Sequence, residues 1–336
     1  MNELLVNAVI IMETVMNLPG NKHKIVIIGA GFVGSQCAAS LMTLGLVDEI
    51  VLLDVNAERA RAQVMDLDDM ASGIPQRIMV RTGDYDDCSD AEFVIIAAGR
   101  SRRPGQSRRD MLADTMVSLL PIAKNIRESG FSGVSISVTN PVDVVTECLY
   151  RQLELPRSQV FGTGTALDSA RLRRLVSEYT GISRGQVQAF ALGEHGESAF
   201  IWGSHIRLEG IPIPEYLSLG IQSDTSCLDL SYLTQRMRQR GTHIVAGKGR
   251  TEYGISTVVA GIVAAILHDE QIMMPLSVHL EGEYGESGIS VSVPCIVGTG
   301  GAHTILEVQL TEEERAMLHA SCEAIRGYAG KALDRL

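Results

Sequence analysis

Several places in the chain carry residue types at spacings that suit chemistry. One is Leu192-Gly193-Glu194-His195-Gly196, a histidine set among glycines directly after a strand-like run. Imidazole gives and takes a proton near neutral pH. The glycines leave its ring within reach of a substrate, although a histidine taken alone is more often structural. Another is Leu167-Asp168-Ser169-Ala170-Arg171, at the start of a helical segment. Asp168 in a first turn complements the helix dipole whatever else it does, and Arg171 has the i to i+3 spacing of a simple surface pair. The last is Gly99 to Asp110, GRSRRPGQSRRD, where Arg100, Arg102, Arg103, Arg108 and Arg109 crowd together in a chain of net charge −11. Such a run is ordinarily a solvated face. Here it follows the apolar stretch Phe93 to Ala98 and contains the turn signal Pro104-Gly105. Loops leaving the carboxyl ends of strands are where open α/β sheets bind ligands, so the run is a candidate anion site.

These residues need elements to hold them. Lys24-Ile25-Val26-Ile27-Ile28 is a β-branched apolar run suited to a buried parallel strand. It runs into Gly29-Ala30-Gly31-Phe32-Val33-Gly34, then a helical segment from Gln36 to Leu44, then Ile50 to Leu53 ending in Asp54. Strand, glycines, helix, strand and terminal acid in that order, with the acid about twenty residues past the last glycine, form a dinucleotide-binding (Rossmann) fingerprint. Gly29 permits the tight turn, Gly31 lets the backbone approach a pyrophosphate, and Gly34 lets helix and strand pack. The N–H groups at the start of the helix, from Phe32 and Val33, suit phosphates. Asp54 accepts from both ribose hydroxyls and repels a 2′-phosphate, which favours NAD over NADP.

The alternation continues with a helix over Ala57–Met70, strands over Arg77–Arg81 and Phe93–Ala98, and a helix over Met111–Glu128 bent or restarted at Pro121. Strands over Val134–Val138 and Gln159–Phe161 follow. This predicts a doubly wound parallel sheet to about residue 162. Beyond it the pattern predicts a helix over Leu167–Tyr179 and strands over Val187–Leu192 and Ala199–Ile206. Helices near 229–245 and 251–268 follow, then a mainly antiparallel sheet from Leu276–Leu280, Ile289–Val297 and Thr304–Leu310. Thr311-Glu312-Glu313-Glu314 has the capping-box spacing for a last amphipathic helix from Glu312 to Leu336. The fold class is α/β: an N-terminal arm (1–21), a Rossmann domain with a doubly wound parallel sheet (22–162), and a C-terminal α+β substrate domain (163–336).

The composition, 45% hydrophobic and 21% charged, is that of a globular protein, and the acidic balance argues against nucleic acid as a partner. The six cysteines are scattered without C-x-x-C spacing, which points to reduced thiols in a cytoplasmic protein. No histidine pairing suggests a metal. The apolar N-terminus MNELLVNAVIIMETVMNLPG lacks a basic n-region and a cleavage pattern and is too short to span a bilayer. Its apolar residues fall at helical spacing, which suits a helix packed on its own subunit or an arm reaching a neighbour. An NAD-dependent glycosidase also begins with a Rossmann unit, but needs a cysteine/histidine metal cluster that is not visible here. A non-catalytic nucleotide-binding scaffold must treat His195, Asp168, Arg108 and Arg171 as coincidences.

Taken together, GAGFVG, the Ala97-Ala98-Gly99 strand ending, the R-R-P-G-Q-S-R loop, VTNPVD, LDSARLR and GEHG resemble the L-lactate/malate dehydrogenase family from about residue 22 to the C-terminus. The resemblance implies an NAD-dependent oxidoreductase of small 2-hydroxy acids, with Ala98, Gly99 and Asn140 also facing the cofactor. It implies that His195 is the acid/base, that Asp168 orients it, that Arg171 clamps the substrate carboxylate and that Arg108 polarises the carbonyl. Asn140 and Thr251 line the substrate pocket, and the loop around Pro104-Gly105 closes over it. The arm resembles, in length and character, the intersubunit arm of tetrameric lactate dehydrogenases, so a homo-oligomer, with a tetramer favoured, is implied. Arg102 stands where malate dehydrogenases have arginine and lactate dehydrogenases glutamine. Sealed against a methyl group it would be an unpaired charge costing about 3–5 kcal/mol, so it favours oxaloacetate and L-malate. Glu194, Lys248-Gly249-Arg250-Thr251 and Gly282-Glu283-Tyr284-Gly285 resemble the lactate branch instead. VTNPVDVVT and Arg127-Glu128-Ser129-Gly130-Phe131 resemble the branched 2-hydroxy-acid dehydrogenases. Arg173 matches half of the family's fructose 1,6-bisphosphate site, but Gln188 replaces its histidine, so that activation is not expected.

Overall fold

The computed structural model describes residues 23–99, 108–220 and 228–333. The expected arm, Arg102 and its neighbours in the arginine loop, and Cys227 lie outside the described residues. Short apolar runs make the central strands. β1 (Lys24–Ile28) and β2 (Glu49–Leu53) are buried along their whole length, as strands covered by helices on both faces must be. Helix α1 (Phe32–Leu44) follows β1, and α2 (Ala57–Ala71) follows β2. Next come β3 (Met79–Thr82), β4 (Phe93–Ile96), α3 (Arg108–Glu128), β5 (Val134–Ser137), α4 (Val142–Leu153) and β6 (Val160–Gly162). These strands pair in parallel in the order β3-β2-β1-β4-β5-β6. The order reverses between β1 and β4, which opens a crevice at their carboxyl ends.

The second half begins with α5 (Ala166–Thr180), followed by β7 (Val187–Gln188), β8 (Ala191–Leu192), β9 (Phe200–Ile201), β10 (Arg207–Leu208) and β11 (Ile211–Pro212). Helices α6 (Ile213–Ser218), α7 (Leu230–Lys248) and α8 (Tyr253–Leu267) lead to β12 (Ile272–Glu281), β13 (Ser287–Gly298), β14 (Gly301–Ile305) and α9 (Glu312–Leu333). The last three strands are antiparallel to one another, as expected. They do not form a sheet of their own: Ser277 of β12 pairs with Gly162 of β6, so one nine-stranded sheet runs through both halves. Gly162 allows this because α4 presses on it; a Cβ there would lie 2.3 Å from Thr146 Oγ1.

Several elements differ from the sequence expectation. α1 starts at Phe32 rather than Gln36, directly on the glycine turn. The run 187–192 is two short strands in different sheets, Val187–Gln188 against β10 and Ala191–Leu192 against β9. Only Phe200–Ile201 of 199–206 is strand, because Gly203–His205 turns into a 3-10 helix. α3 passes Pro121 without a restart, and the final strand is Gly301–Ile305 rather than 304–310. The capping box forms as read: Glu314 N–H donates to Thr311 Oγ1 at 3.2 Å and Thr311 N–H to Glu314 Oε2 at 3.0 Å. Among the described residues no helix is long and apolar enough to cross a membrane.

Packing at the α1–β1 junction leaves no room for a side chain, since a Cβ on Gly34 would stand 1.9 Å from the Gly29 carbonyl oxygen. Gly34→Ala is therefore expected to cost about 1–3 kcal/mol by overpacking, read as a lower urea midpoint. Gly185→Ala, with nothing within 4 Å of the new Cβ, leaves that midpoint in place.

Candidate active site

The carboxyl ends of β1, β4 and β5 meet at the crevice. Gly29 takes φ +108°, and a Cβ there would strike the Ala98 nitrogen at 2.6 Å, so only glycine closes this turn against β4. Gly31 is different: nothing lies within 4 Å of its Cβ position, which leaves open space beside the backbone. α1 begins immediately after it with no acidic residue in its first turn, so the N–H groups of Phe32 and Val33 face that space with a favourable dipole. Asp54, at the end of β2, accepts from Ala30 N–H at 2.9 Å and from Asn56 N–H at 2.8 Å. Its side chain is 7% exposed. An open glycine cradle, an acid-free helix start and a held carboxylate at the neighbouring strand end fit a dinucleotide's pyrophosphate and adenosine ribose. Ala98 and Gly99 follow β4 beside Thr139, the neighbour of Asn140, and Thr139 donates through Oγ1 to the Ala98 carbonyl at 2.8 Å. Asn140 itself is exposed at the tip of β5.

His195 and Asp168 come together although they lie on different elements. His195 Nδ1 is 2.6 Å from Asp168 Oδ2, and Arg171 Nη1 donates to Asp168 Oδ1 at 2.9 Å. The Asp168 side chain is 6% exposed and that of His195 is 25% exposed. Burial lowers the imidazole pKa, but the charge and hydrogen bond of Asp168 more than offset this, and the histidine stands above its ordinary 6.5. Asp143 adds to the rise and Arg171 opposes it. Burial pulls the Asp168 carboxyl upward, and His195 and Arg171 overcome it, so it stands below the usual carboxylate range. With Nδ1 engaged by Asp168, Nε2 is the ring nitrogen left for a ligand. Arg171 lies against Gly241 of α7, where a Cβ would sit 3.5 Å from its guanidinium.

The loop bearing His195 is pinned on three sides. Gly193 exchanges backbone hydrogen bonds with Ser292 of β13, at 2.9 and 3.2 Å. Its φ is +87°, and a Cβ would fall 2.4 Å from Ser321 Oγ of α9, so glycine is required. Glu194 N–H donates to that same Ser321 hydroxyl at 3.2 Å. His195 N–H donates to Asp143 Oδ2 at 2.9 Å, from the first turn of α4. Asp143 is the residue that sequence reasoning missed. Its signal was an acid inside Val142-Asp143-Val144-Val145, an otherwise apolar helix start.

Thr251 lies just before α8. On one side of it the Arg250 guanidinium stacks 3.1 Å over the Phe32 ring. On the other, Gly254 meets Leu167, next to Asp168; a Cβ there would be 2.9 Å from Leu167 Cδ1. Thr251 therefore stands between the glycine turn and the helix carrying Asp168 and Arg171. Arg108 is the first residue of α3; its side chain, like all of Arg102, lies outside the described residues. Arg173 is half-buried on α5 and Gln188 is exposed on β7. Among the described residues no cluster of histidine, cysteine and acidic side chains could hold a metal.

Residues 23–162 match the family model for the lactate/malate dehydrogenase NAD binding domain, and residues 165–332 match that for the lactate/malate dehydrogenase alpha/beta C-terminal domain. The L-lactate dehydrogenase 1 of Bifidobacterium longum is 41% identical over 306 residues, covering 91% of this chain and 96% of that relative. The L-lactate dehydrogenase 3 of Bacillus cereus is 37% identical over 308 residues, covering 92% and 97%. Among solved structures, a lactate dehydrogenase from a Medee basin deep-sea metagenome library superposes with TM-score 0.87 at 34% identity, covering 91% of this chain and 98% of that one. The ligands-bound minor L-lactate dehydrogenase of Enterococcus mundtii also gives 0.87 at 34% identity, covering 93% and 99%.

The open space at Gly31 carries a prediction. Gly31→Ala has nothing to clash with in the protein itself, so its melting temperature stays at the wild-type value. Its affinity for NADH, measured by fluorescence titration, falls by at least about tenfold, since a methyl group occupies the space beside the phosphates.

Proposed function

The chain belongs to the lactate/malate dehydrogenase family and is an NAD-dependent oxidoreductase acting on 2-hydroxy acids, and we propose that its substrate pair is pyruvate and L-lactate. The observation that carries the chemistry is the buried Asp168–His195 pair with Arg171 on the other carboxylate oxygen. In reduction His195 Nε2–H donates a hydrogen bond to the 2-oxo oxygen and gives its proton to it. Asp168 holds the ring through Nδ1 and stabilises the imidazolium. Arg171 offers its remaining N–H groups as a fork to the C1 carboxylate. NADH, when bound, supplies the hydride to C2. Arg108, the first residue of α3, is assigned to polarise the carbonyl as charge builds on oxygen, Asn140 to orient substrate and nicotinamide, and Thr251 to line the C3 side. In the reverse direction the neutral ring takes the proton from the 2-hydroxyl group.

The lactate reading is supported by relatives at 41% and 37% identity that are L-lactate dehydrogenases. One observation favours a second reading: Arg102, a cation where a pyruvate enzyme needs none, suits the second carboxylate of oxaloacetate. An assembly of identical subunits, a tetramer favoured, accompanies this proposal, as does a cytoplasmic setting consistent with buried free thiols at Cys37, Cys88, Cys148, Cys295 and Cys322. With Gln188 in place of histidine, fructose 1,6-bisphosphate is not an activator.

The deciding measurement is kcat/KM for pyruvate, oxaloacetate and 2-oxoisocaproate in parallel, from NADH absorbance. Pyruvate is expected to lead. A lead for oxaloacetate that Arg102→Gln reverses replaces this reading with the malate one. The pH dependence has a definite sign. Reduction needs imidazolium, so on the alkaline side its kcat/KM falls as pH rises through the His195 pKa, above 6.5. Oxidation of the 2-hydroxy acid needs the neutral ring and rises over the same interval. His195→Asn is expected to remove turnover in both directions while NADH still binds; loss of NADH binding as well would mark the histidine as structural.

A further inference from the structure

We infer that Asp143 is the positioning residue of the proton donor: from the first turn of α4 its buried carboxylate holds the His195 backbone and faces the imidazole with a second negative charge. Asp143 is 1% exposed. One oxygen accepts the His195 N–H at 2.9 Å and the other accepts the Ser277 hydroxyl of β12 at 2.7 Å. A buried carboxylate is costly to keep unless it is paired, and nothing in the reaction as described uses it. Its placement ties the catalytic loop to α4 and β12 at the level of the main chain, where Asp168 reaches only the ring. A His195 backbone free to shift would move Nε2 by the fraction of an ångström that proton transfer does not tolerate.

The charged and titratable groups around it come from several elements. Glu194 and His195 lie on the loop between β8 and β9, Glu147 is one turn along α4, and Cys322 faces it from α9. Asp168 and Arg171 on α5 bear on it through His195. Burial pushes the Asp143 carboxyl up to about 6, against the pull of the Ser277 hydroxyl and the His195 N–H, and Glu194 pushes it further up. It is therefore ionised at neutral pH and loses its charge as pH falls through about 6. While charged it favours the imidazolium form of His195.

The inference rests on His195 being the proton donor, and the test separates the two. In wild type, kcat/KM for pyruvate reduction is expected to fall on the alkaline side, through His195, and on the acid side near the Asp143 value of about 6. In Asp143→Asn the acid limb disappears, the alkaline limb moves down by about one pH unit, and kcat falls by about tenfold with a smaller change in KM. NADH binding is unaltered. In Ser277→Ala the carboxylate remains but loses a donor, so the acid limb moves up while the alkaline limb stays. This variant decides the matter if Asp143→Asn does not accumulate folded. Both limbs unmoved in both variants, or an alkaline limb that shifts equally in Ser277→Ala, overturns the role given to Asp143. A wild-type profile with no alkaline limb overturns the assignment of His195, and the inference with it.

Discussion

Asp168 shares its carboxylate between His195 and Arg171 in a setting that admits almost no water. A charge taken out of water is kept only when its lone pairs are met, and removing one partner of such a set costs about 3–5 kcal/mol. The positions of the neighbouring groups follow from this requirement. The histidine must present Nδ1 to the acid, which commits Nε2 to the substrate side. The arginine must lend one nitrogen to the acid, which leaves its others for an incoming anion. The guanidinium also faces α7 at Gly241, where a Cβ would meet it only at ordinary contact distance, 3.5 Å. The set Asp143, Asp168, Arg171 and His195 balances its formal charges only when the imidazole carries a proton. In the proposed reaction a 2-oxo acid therefore meets a site already arranged for proton donation.

The sheet is what makes this arrangement rigid. The glycine turn, Asp54 and Asn140 sit at the carboxyl ends of parallel strands, while His195 and Asp168 sit in the second half of the chain. Ser277 joins the two, because it belongs to the strand that adds to β6 and also donates to Asp143. The N–H groups of consecutive residues Gly193, Glu194 and His195 donate to Ser292, Ser321 and Asp143, which lie on three different elements. A loop held residue by residue in this way loses little entropy when substrate arrives, so binding energy is available for the transition state.

What was legible in the sequence was whatever acts locally. The glycine turn, Asp54, the capping box at Thr311 and Glu314, and the dyad's own motifs are read within a few residues, because turn geometry and helix caps depend on near neighbours. What was not legible depends on residues far apart in the chain. Asp143 and His195 are 52 residues apart, and Asp143 and Ser277 are 134 apart; no periodicity encodes either bond. The run 187–192 has the composition of one strand, yet its two ends pair with different partners, a choice made by tertiary contacts that outweigh propensity. The single sheet was missed for the same reason, since the joint between β6 and β12 is one residue pair at Gly162 and Ser277.

Reaction and substrate choice draw on different parts of the molecule. In the proposed reaction His195 and Arg171 address the 2-oxo group and the C1 carboxylate, which every acid of this class possesses. On that reading discrimination falls to the C3 side, assigned to Thr251, whose described neighbours are already committed to one another. Glu252, next to Thr251, takes Lys248 at 2.7 Å and Arg250 at 3.5 Å, and Arg250 also covers Phe32. That carboxylate is engaged by two cations before Arg102 is considered. An arginine directed at C3 must then find its counter-charge on the substrate or keep its water. Oxaloacetate provides the charge. Pyruvate requires the water to stay, and the about 3–5 kcal/mol at stake in an unpaired buried cation is larger than a methyl group can return on burial, about 0.8 kcal/mol. In the proposed pocket, with Arg102 directed at C3, a preference for pyruvate requires that the guanidinium keep its water, and the choice of substrate then falls to the Thr251 side.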